Sequence, residues 1–192
     1  MLKKNMSWVA VLSLSLILAA CAGGINSRQD SAQTEAASIE TSAYIPKDRG
    51  YGQIAAFSVV DLNGESVDQT IFHEKPVTFI NYWATWCGPC RAELPDFPEM
   101  YEKYKDKVTF VTIVDDGLDN ATAKSMADQY LEGYVNLLPS AELVVPIQTG
   151  YVPTSAIVDA EGYLVVDKII GAMGDYSGYI DAALEIVGDY AR

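Results

Sequence analysis

The chain has 192 residues, of which 49% are hydrophobic and 20% charged, with a formal charge of −13 and a sequence pI near 4.3. Those proportions fit an ordinary globular domain and exclude a collagenous, coiled-coil or wholly disordered chain. So acidic a protein lacks the Lys and Arg clusters that phosphate contacts require, and no nucleic-acid partner is expected. The single histidine, His73, excludes a His-rich metal site and argues against a Ser–His–Asp triad. Three cysteines, Cys21, Cys87 and Cys90, are too few for a disulfide-stapled scaffold.

Residues 1–20 read as a leader. Lys3 and Lys4 make a positive n-region, and Trp8 to Ala20 is an apolar run of 13 residues broken only by Ser13 and Ser15. A membrane-spanning helix needs ~20, so the run fits the h-region of a secretory signal. It ends in Leu18-Ala19-Ala20-Cys21. Small residues followed directly by a cysteine resemble the lipobox of bacterial lipoproteins, which implies that Cys21 becomes the lipidated N-terminus. Removing Lys3 and Lys4 makes the remainder more acidic still, so anionic headgroups would repel it. Attachment is therefore expected through the lipid. Residues 21–50 are rich in Ser, Ala, Gly, Gln and Thr without sustained apolar periodicity. They read as a flexible tether reaching ~30 Å on average.

Residues 51–192 are enough for one domain with a real core. Ala56–Asp61 reads as a short strand, Asn63-Gly64 as a hairpin turn, and Glu65–Val67 as the returning strand. Pro76–Trp83 is mostly apolar and β-prone, as expected of a strand buried on both faces. A helix is expected over Pro89–Tyr104, with Leu94, Phe97, Tyr101 and Tyr104 on one face. Val108–Val114 is the next buried strand. Ala121–Leu131 reads as a helix stopped by Gly133. A short segment at Ala141–Val145 precedes a strand at Thr154–Val158, a turn over Asp159–Gly162 and a strand at Tyr163–Ile170. A last helix is expected over Tyr176–Val187, capped by Gly188. This order describes an α/β sandwich.

The chemistry is concentrated in Trp86-Cys87-Gly88-Pro89-Cys90, between a buried strand and a helix. A C-x-x-C in that setting is a redox motif. Cys87 would sit at the helix N-terminus, where unpaired N–H groups and the dipole stabilise a thiolate. Cys90, one turn along, shares its face and lies within disulfide reach. Pro89 suits the first helical turn, and Gly88 leaves the sulfur open to a partner. Half of a zinc site would need two further ligands, and after Cys21 only His73 is left to supply one; no metal is expected.

The run Asn81-Tyr-Trp-Ala-Thr-Trp-Cys-Gly-Pro-Cys-Arg-Ala-Glu-Leu-Pro95 resembles the TlpA/ResA-like branch of extracytoplasmic thioredoxins. Asp61-Leu-Asn-Gly64 and Gly150-Tyr-Val-Pro153-Thr154 add to the resemblance, which covers roughly residues 56–187. It implies a thioredoxin fold: a central mixed sheet flanked by helices, with an added N-terminal β-hairpin. It also implies a cis Val152–Pro153 bond facing the disulfide, which would turn the Val152 backbone toward an extended substrate peptide. A Pro before a β-prone run marks a strand start, and a cis X-Pro bond costs only ~0.5–1 kcal/mol. Cytosolic thioredoxins generally carry a buried Asp where this chain has Asn81, which cannot titrate. In the ResA-like branch the glutamate matching Glu93 lies near the active site and influences thiol acidity. Glu93 thus reads either as a proton relay to Cys90 or as a first-turn carboxylate that merely suits the dipole. His73 reads as a surface residue in a polar loop.

The expected function is that of a membrane-anchored thiol–disulfide oxidoreductase. Cys87 is the candidate nucleophile, Cys90 resolves, and Glu93 assists. Trp86, Gly88, Pro89, Val152 and Pro153 are candidate substrate contacts. No cofactor beyond the cysteine pair is expected. The resemblance implies a CcdA- or DsbD-like membrane electron donor, targets such as apocytochrome c or a methionine sulfoxide reductase, and a monomer. The Gly-Pro spacer is what reducing thioredoxins carry. A disulfide-forming oxidase and a non-enzymatic peptide- or metal-binding lipoprotein are the alternatives.

Overall fold

Two strands buried along almost their whole length organise the fold. In the computed structural model, which describes residues 52–116 and 120–190, β3 (Val77–Trp83) and β4 (Val108–Val114) run parallel in register, Val77 opposite Val108 and Trp83 opposite Val114. The leader, Cys21 and the tether lie outside the described residues. β6 (Thr154–Asp159) pairs antiparallel with the other side of β3, β5 (Val135–Leu137) pairs parallel with β4, and β7 (Ile169–Ile170) closes the far edge. The result is a mixed five-stranded sheet, ordered β5-β4-β3-β6-β7.

Alternation along β3 sends Val77, Phe79 and Trp83 to one face and Ile80 to the other. The first face is covered by α1 (Gly88–Glu93), α2 (Phe97–Tyr104), α3 (Asn120–Tyr130) and α5 (Ser177–Tyr190). Phe79 is the hub of this core, with its ring centroid 5.0 Å from that of Tyr176, 6.0 Å from Phe110 and 6.2 Å from Phe97. The second face is covered by Ile54, Phe57, Ile71, Phe72, Leu143 and Ile147. These come from the segment leading into the hairpin, the 3-10 turn Gln69–His73, and the region of α4 (Ala141–Val144). The hairpin itself pairs β1 (Ser58–Val60) with β2 (Ser66–Asp68). Gly64 takes φ 83° in its turn, and Asp61 accepts the N–H groups of Asn63 and Glu65 at 2.8 Å.

Three local expectations need correction. The helix expected over Pro89–Tyr104 is broken into α1 and α2 by a 3-10 turn at Leu94–Asp96. Pro95 and Pro98 cannot donate to the carbonyls of Arg91 and Leu94, so two bonds of the α ladder are missing. The strand expected over Tyr163–Ile170 is interrupted, because Leu164 faces Val158 while Ile169 faces Ser155. Five steps on one side oppose three on the other, and the extra residues let Val165 and Val166, neighbours in sequence, enter the same core. Gly188 does not cap the last helix; α5 runs through it to Tyr190 without a left-handed residue there. In addition, β5 and the 3-10 turn after β2 carry no sequence signal, each being too short to show a period.

Gly133 does stop the chain after α3. It takes φ 84°, and a Cβ there would fall 2.1 Å from the Tyr101 ring. No helix among the described residues is long and apolar enough to cross a membrane.

Candidate active site

The C-terminal ends of the parallel strands β3 and β4 lie side by side, and the redox motif is the turn that leaves β3. Asp115 donates its backbone N–H to Trp83 O at 2.8 Å, which carries the β3–β4 register one step past the strands. Asp116 then accepts Thr85 N at 2.7 Å and Thr85 Oγ1 at 2.9 Å, and the Trp86 indole donates to Asp115 O at 3.3 Å. Tyr82 donates to the Asp115 carboxylate at 2.5 Å. The loop after β4 therefore pins the loop before the cysteines.

Cys87 is the N-cap of α1, with extended backbone at φ −81° and ψ 113°. It forms a disulfide with Cys90, with Cα atoms 5.3 Å apart. The Cys90 backbone N–H points at Cys87 Sγ from 3.1 Å. That donor, at a helix start, is what a thiolate on Cys87 needs. Pro89 follows in the first turn, where the missing N–H costs nothing. Cys90 is wholly buried, whereas Cys87 keeps 4% exposure beside the exposed Gly88 and Pro89. Only Cys87 therefore has any opening to an incoming sulfur. The Val152–Pro153 bond is cis, and Val152 O lies 3.4 Å from Cys87 Sγ. Trp86 and Tyr151, both about 70% exposed, supply apolar surface on the loops that carry Cys87 and Val152.

Glu93 is buried, at 3% exposure, and does more than decorate the first helical turn. Its Oε1 accepts Asn81 Nδ2 at 3.1 Å and its Oε2 accepts the Tyr176 hydroxyl at 2.8 Å. Burial pushes its carboxyl above the ordinary carboxylate range. The hydrogen bonds from Tyr176, Asn81 and the Met173 backbone pull the other way, and the nearby Asp96 charge adds to the rise. A carboxyl poised in this way can take and return a proton within the site.

The residues singled out in the sequence thus converge: Trp86, Cys87, Gly88, Pro89, Cys90 and Glu93 on one turn and helix, Val152 and Pro153 across from them. His73 ends the 3-10 turn after β2, exposed, and makes none of these contacts. Among the described residues, no group of three or more His, Cys, Asp or Glu side chains is arranged to hold a metal ion. Sequence reasoning missed Tyr176, Ser155, Asp115 and Asp116. Ser155 carried a faint signal, a polar residue beside the apolar run Ala156–Val158; Tyr176 carried none.

The thioredoxin family profile matches residues 58–160, more than half of the chain. The chain belongs to the thioredoxin family. Thiol-disulfide oxidoreductase ResA of a Bacillus cereus strain is 35% identical over 116 residues, which are 60% of this chain and 66% of that protein. This thioredoxin-family chain thus spans slightly less than two thirds of that relative's length. The thioredoxin-like protein YneN of Bacillus subtilis is 28% identical, over 63% of this chain and 71% of its own. Among solved structures, the exposed lipoprotein thioredoxin Etrx1 of Streptococcus pneumoniae superposes with a TM-score of 0.56 at 26% identity. That match covers 68% of this chain and 99% of Etrx1. These relatives agree with the ResA-like branch of the family, and the hairpin and mixed sheet agree with its fold.

Proposed function

We propose that this protein is an extracytoplasmic thiol–disulfide oxidoreductase that reduces protein disulfides, held at the membrane by lipid on Cys21. The observation that carries the reading is the Cys87–Cys90 pair at a helix start, with the less buried sulfur facing the backbone of Val152 beside cis-Pro153. Cys87 thiolate attacks one sulfur of a substrate disulfide, displacing the other as a thiolate and forming a mixed disulfide. Cys90 passes its proton to Glu93 and attacks Cys87 Sγ. The second substrate thiolate leaves, and the pair is left oxidised, having delivered two electrons. The cysteine pair carries the electrons by itself, and a membrane thiol donor of the CcdA or DsbD kind re-reduces it. Trp86, Gly88, Pro89, Val152 and Pro153 form the substrate contact, and a monomer suffices. Apocytochrome c and methionine sulfoxide reductase are the target classes the family resemblance supports.

The ResA relatives, titled thiol-disulfide oxidoreductases, support the activity, and the lipoprotein Etrx1 supports the placement. The Gly88-Pro89 spacer supports the reducing direction. A reducing thioredoxin sits near ~−270 mV and a strong oxidant near ~−120 mV, a gap of about 7 kcal/mol for two electrons. Glutathione equilibration should return a potential at the reducing end; a value near the oxidant end would make the protein a disulfide-forming enzyme. Cys90→Ser should accumulate mixed disulfides with substrate proteins and Cys87→Ser should not. Trapping by Cys87→Ser alone would reverse the roles. Cys21→Ala should release the chain from the membrane fraction, and unchanged fractionation would remove the anchor from the reading.

A further inference from the structure

Glu93 belongs to a network of buried polar side chains. Asn81 Nδ2 donates to Glu93 Oε1 at 3.1 Å and to Ser155 Oγ at 3.0 Å. Tyr176 donates to Glu93 Oε2 at 2.8 Å, and Ser155 stands near enough to the Tyr176 hydroxyl to act on it in the direction opposite to burial. All four are buried, at 0% for Asn81 and Ser155, 1% for Tyr176 and 3% for Glu93. They come from four segments: Asn81 from β3, Ser155 from the opposite register position of β6, Glu93 from the end of α1, and Tyr176 from just before α5.

Two of the four members are hydroxyls, each of which can donate or accept by rotating about one bond. The network can therefore serve an ionised Glu93, to which both Asn81 and Tyr176 donate. It can also serve a protonated one, whose new proton needs an acceptor. The Tyr176 hydroxyl, 2.8 Å from Glu93 Oε2, becomes that acceptor when it turns its own proton away. No heavy atom has to move between the two states. The matter is pressing while a substrate is bound through Cys87, because Cys90 is wholly buried and water has no direct access to it.

We infer that Tyr176 and Ser155 are positioning residues of the redox site: with Asn81 they fix the Glu93 carboxyl and let it take the Cys90 proton by reorienting hydroxyls. The inference rests on the reductase reading above. In the step concerned, Cys90 S–H breaks, the proton goes to Glu93, and the sulfur's electron pair forms the bond to Cys87 Sγ while the substrate thiolate leaves. The groups facing Glu93 are few. The sheet presents the uncharged Asn81, itself bonded to Ser155, and Cys90 stands one turn before Glu93 on its own helix. The turn after α1 presents Asp96, whose charge opposes ionisation. The segment before α5 presents Tyr176 and the Met173 backbone. No cation is among the groups that shift it.

The test is stopped-flow reaction of the reduced Cys21→Ala protein with an aromatic disulfide that releases one coloured thiolate when Cys87 attacks and a second when Cys90 resolves. The ratio of second to first rate is followed against pH. Tyr176→Phe keeps the ring packed on Phe79 and removes one donor to the carboxylate. It should slow the second step about tenfold at fixed pH on the acidic limb, the worth of one hydrogen bond to a charged group, and converge on wild type at alkaline pH. Ser155→Ala should act in the same direction more weakly, and Glu93→Gln should abolish the limb. An acidic limb for Tyr176→Phe that superimposes on wild type, or a loss equal at every pH, overturns the inference while leaving the reductase reading intact. Absence of any thiolate release from wild type refutes the reading itself.

Discussion

Replacing Asn81 by Asp would put a second carboxylate where an amide now donates to Glu93 Oε1 from 3.1 Å. If both carboxylates stayed ionised, their repulsion at that distance and an effective dielectric of ~20 would cost about 5 kcal/mol. The folded protein has a cheaper course at moderate pH, which is to keep one proton between the two groups. Keeping the Glu93 proton at pH 7, against its ordinary value of 4.5, costs at most about 3 kcal/mol at ~1.4 kcal/mol per unit. Because burial already raises the Glu93 carboxyl in the parent protein, the added loss at pH 7 falls below that ceiling, at about 1–3 kcal/mol. The sign follows from linkage: a folded-state carboxyl raised above its unfolded value carries no penalty below the unfolded value, and the penalty grows as pH rises. Urea denaturation of parent and Asn81→Asp at several pH values between about 4 and 9 measures it. The two should differ little until pH passes the raised value of the parent Glu93, then diverge by ~1.4 kcal/mol per unit until the loss approaches about 5 kcal/mol. A difference constant across pH, or none at the alkaline end, would refute the buried Asn81–Glu93 contact.

Other substitutions probe the frame around the site. Phe79→Ala, which empties the hub of the aromatic core under Tyr176, should cost about 3–5 kcal/mol in chemical denaturation; a loss below about 1 kcal/mol would mean the core closes over the gap. Gly188→Ala should stabilise by about 0.5–1 kcal/mol, because Gly188 lies inside α5 with open space where the methyl would go. Destabilisation there would restore Gly188 as a helix cap. Gly133→Ala should do the opposite and destabilise by ~1 kcal/mol or more, since its φ of 84° and the Tyr101 ring both oppose a Cβ.

Local chemistry made much of the fold legible. β3 and β4 are apolar over most of their seven residues each, and no other strand shows as plain a pattern. Asn63-Gly64 announces its turn because few other pairs tolerate that backbone. The errors share a cause. Proline was credited with starting a helix at Pro89 but not with breaking one at Pro95 and Pro98. Glycine was read as a cap at Gly188, where its cost inside a helix is small enough for the final turn to continue. In Tyr163–Ile170 a β-prone composition hid the bulge, which exists because Val165 and Val166 both find room in one core.

The redox motif was complete in the sequence because everything it needs lies within one turn of helix. A sulfur at a helix start, a second sulfur three residues on and a proline that fits the first turn are relations between near neighbours, and backbone geometry alone satisfies them. The state of Glu93 could not be read that way. As a first-turn carboxylate it could equally well have faced solvent. Its burial and its partners are set by contacts to Asn81, 12 residues away, and Tyr176, 83 away, while Asn81 in turn meets Ser155 across 74 residues. Those separations carry no periodic signal. They are decided by the antiparallel register that sets Ser155 beside Asn81 and by the packing that lays Tyr176 on Phe79. The cysteines were therefore visible in the chain, and the network of buried side chains around Glu93 arises only when the sheet and helices close around it.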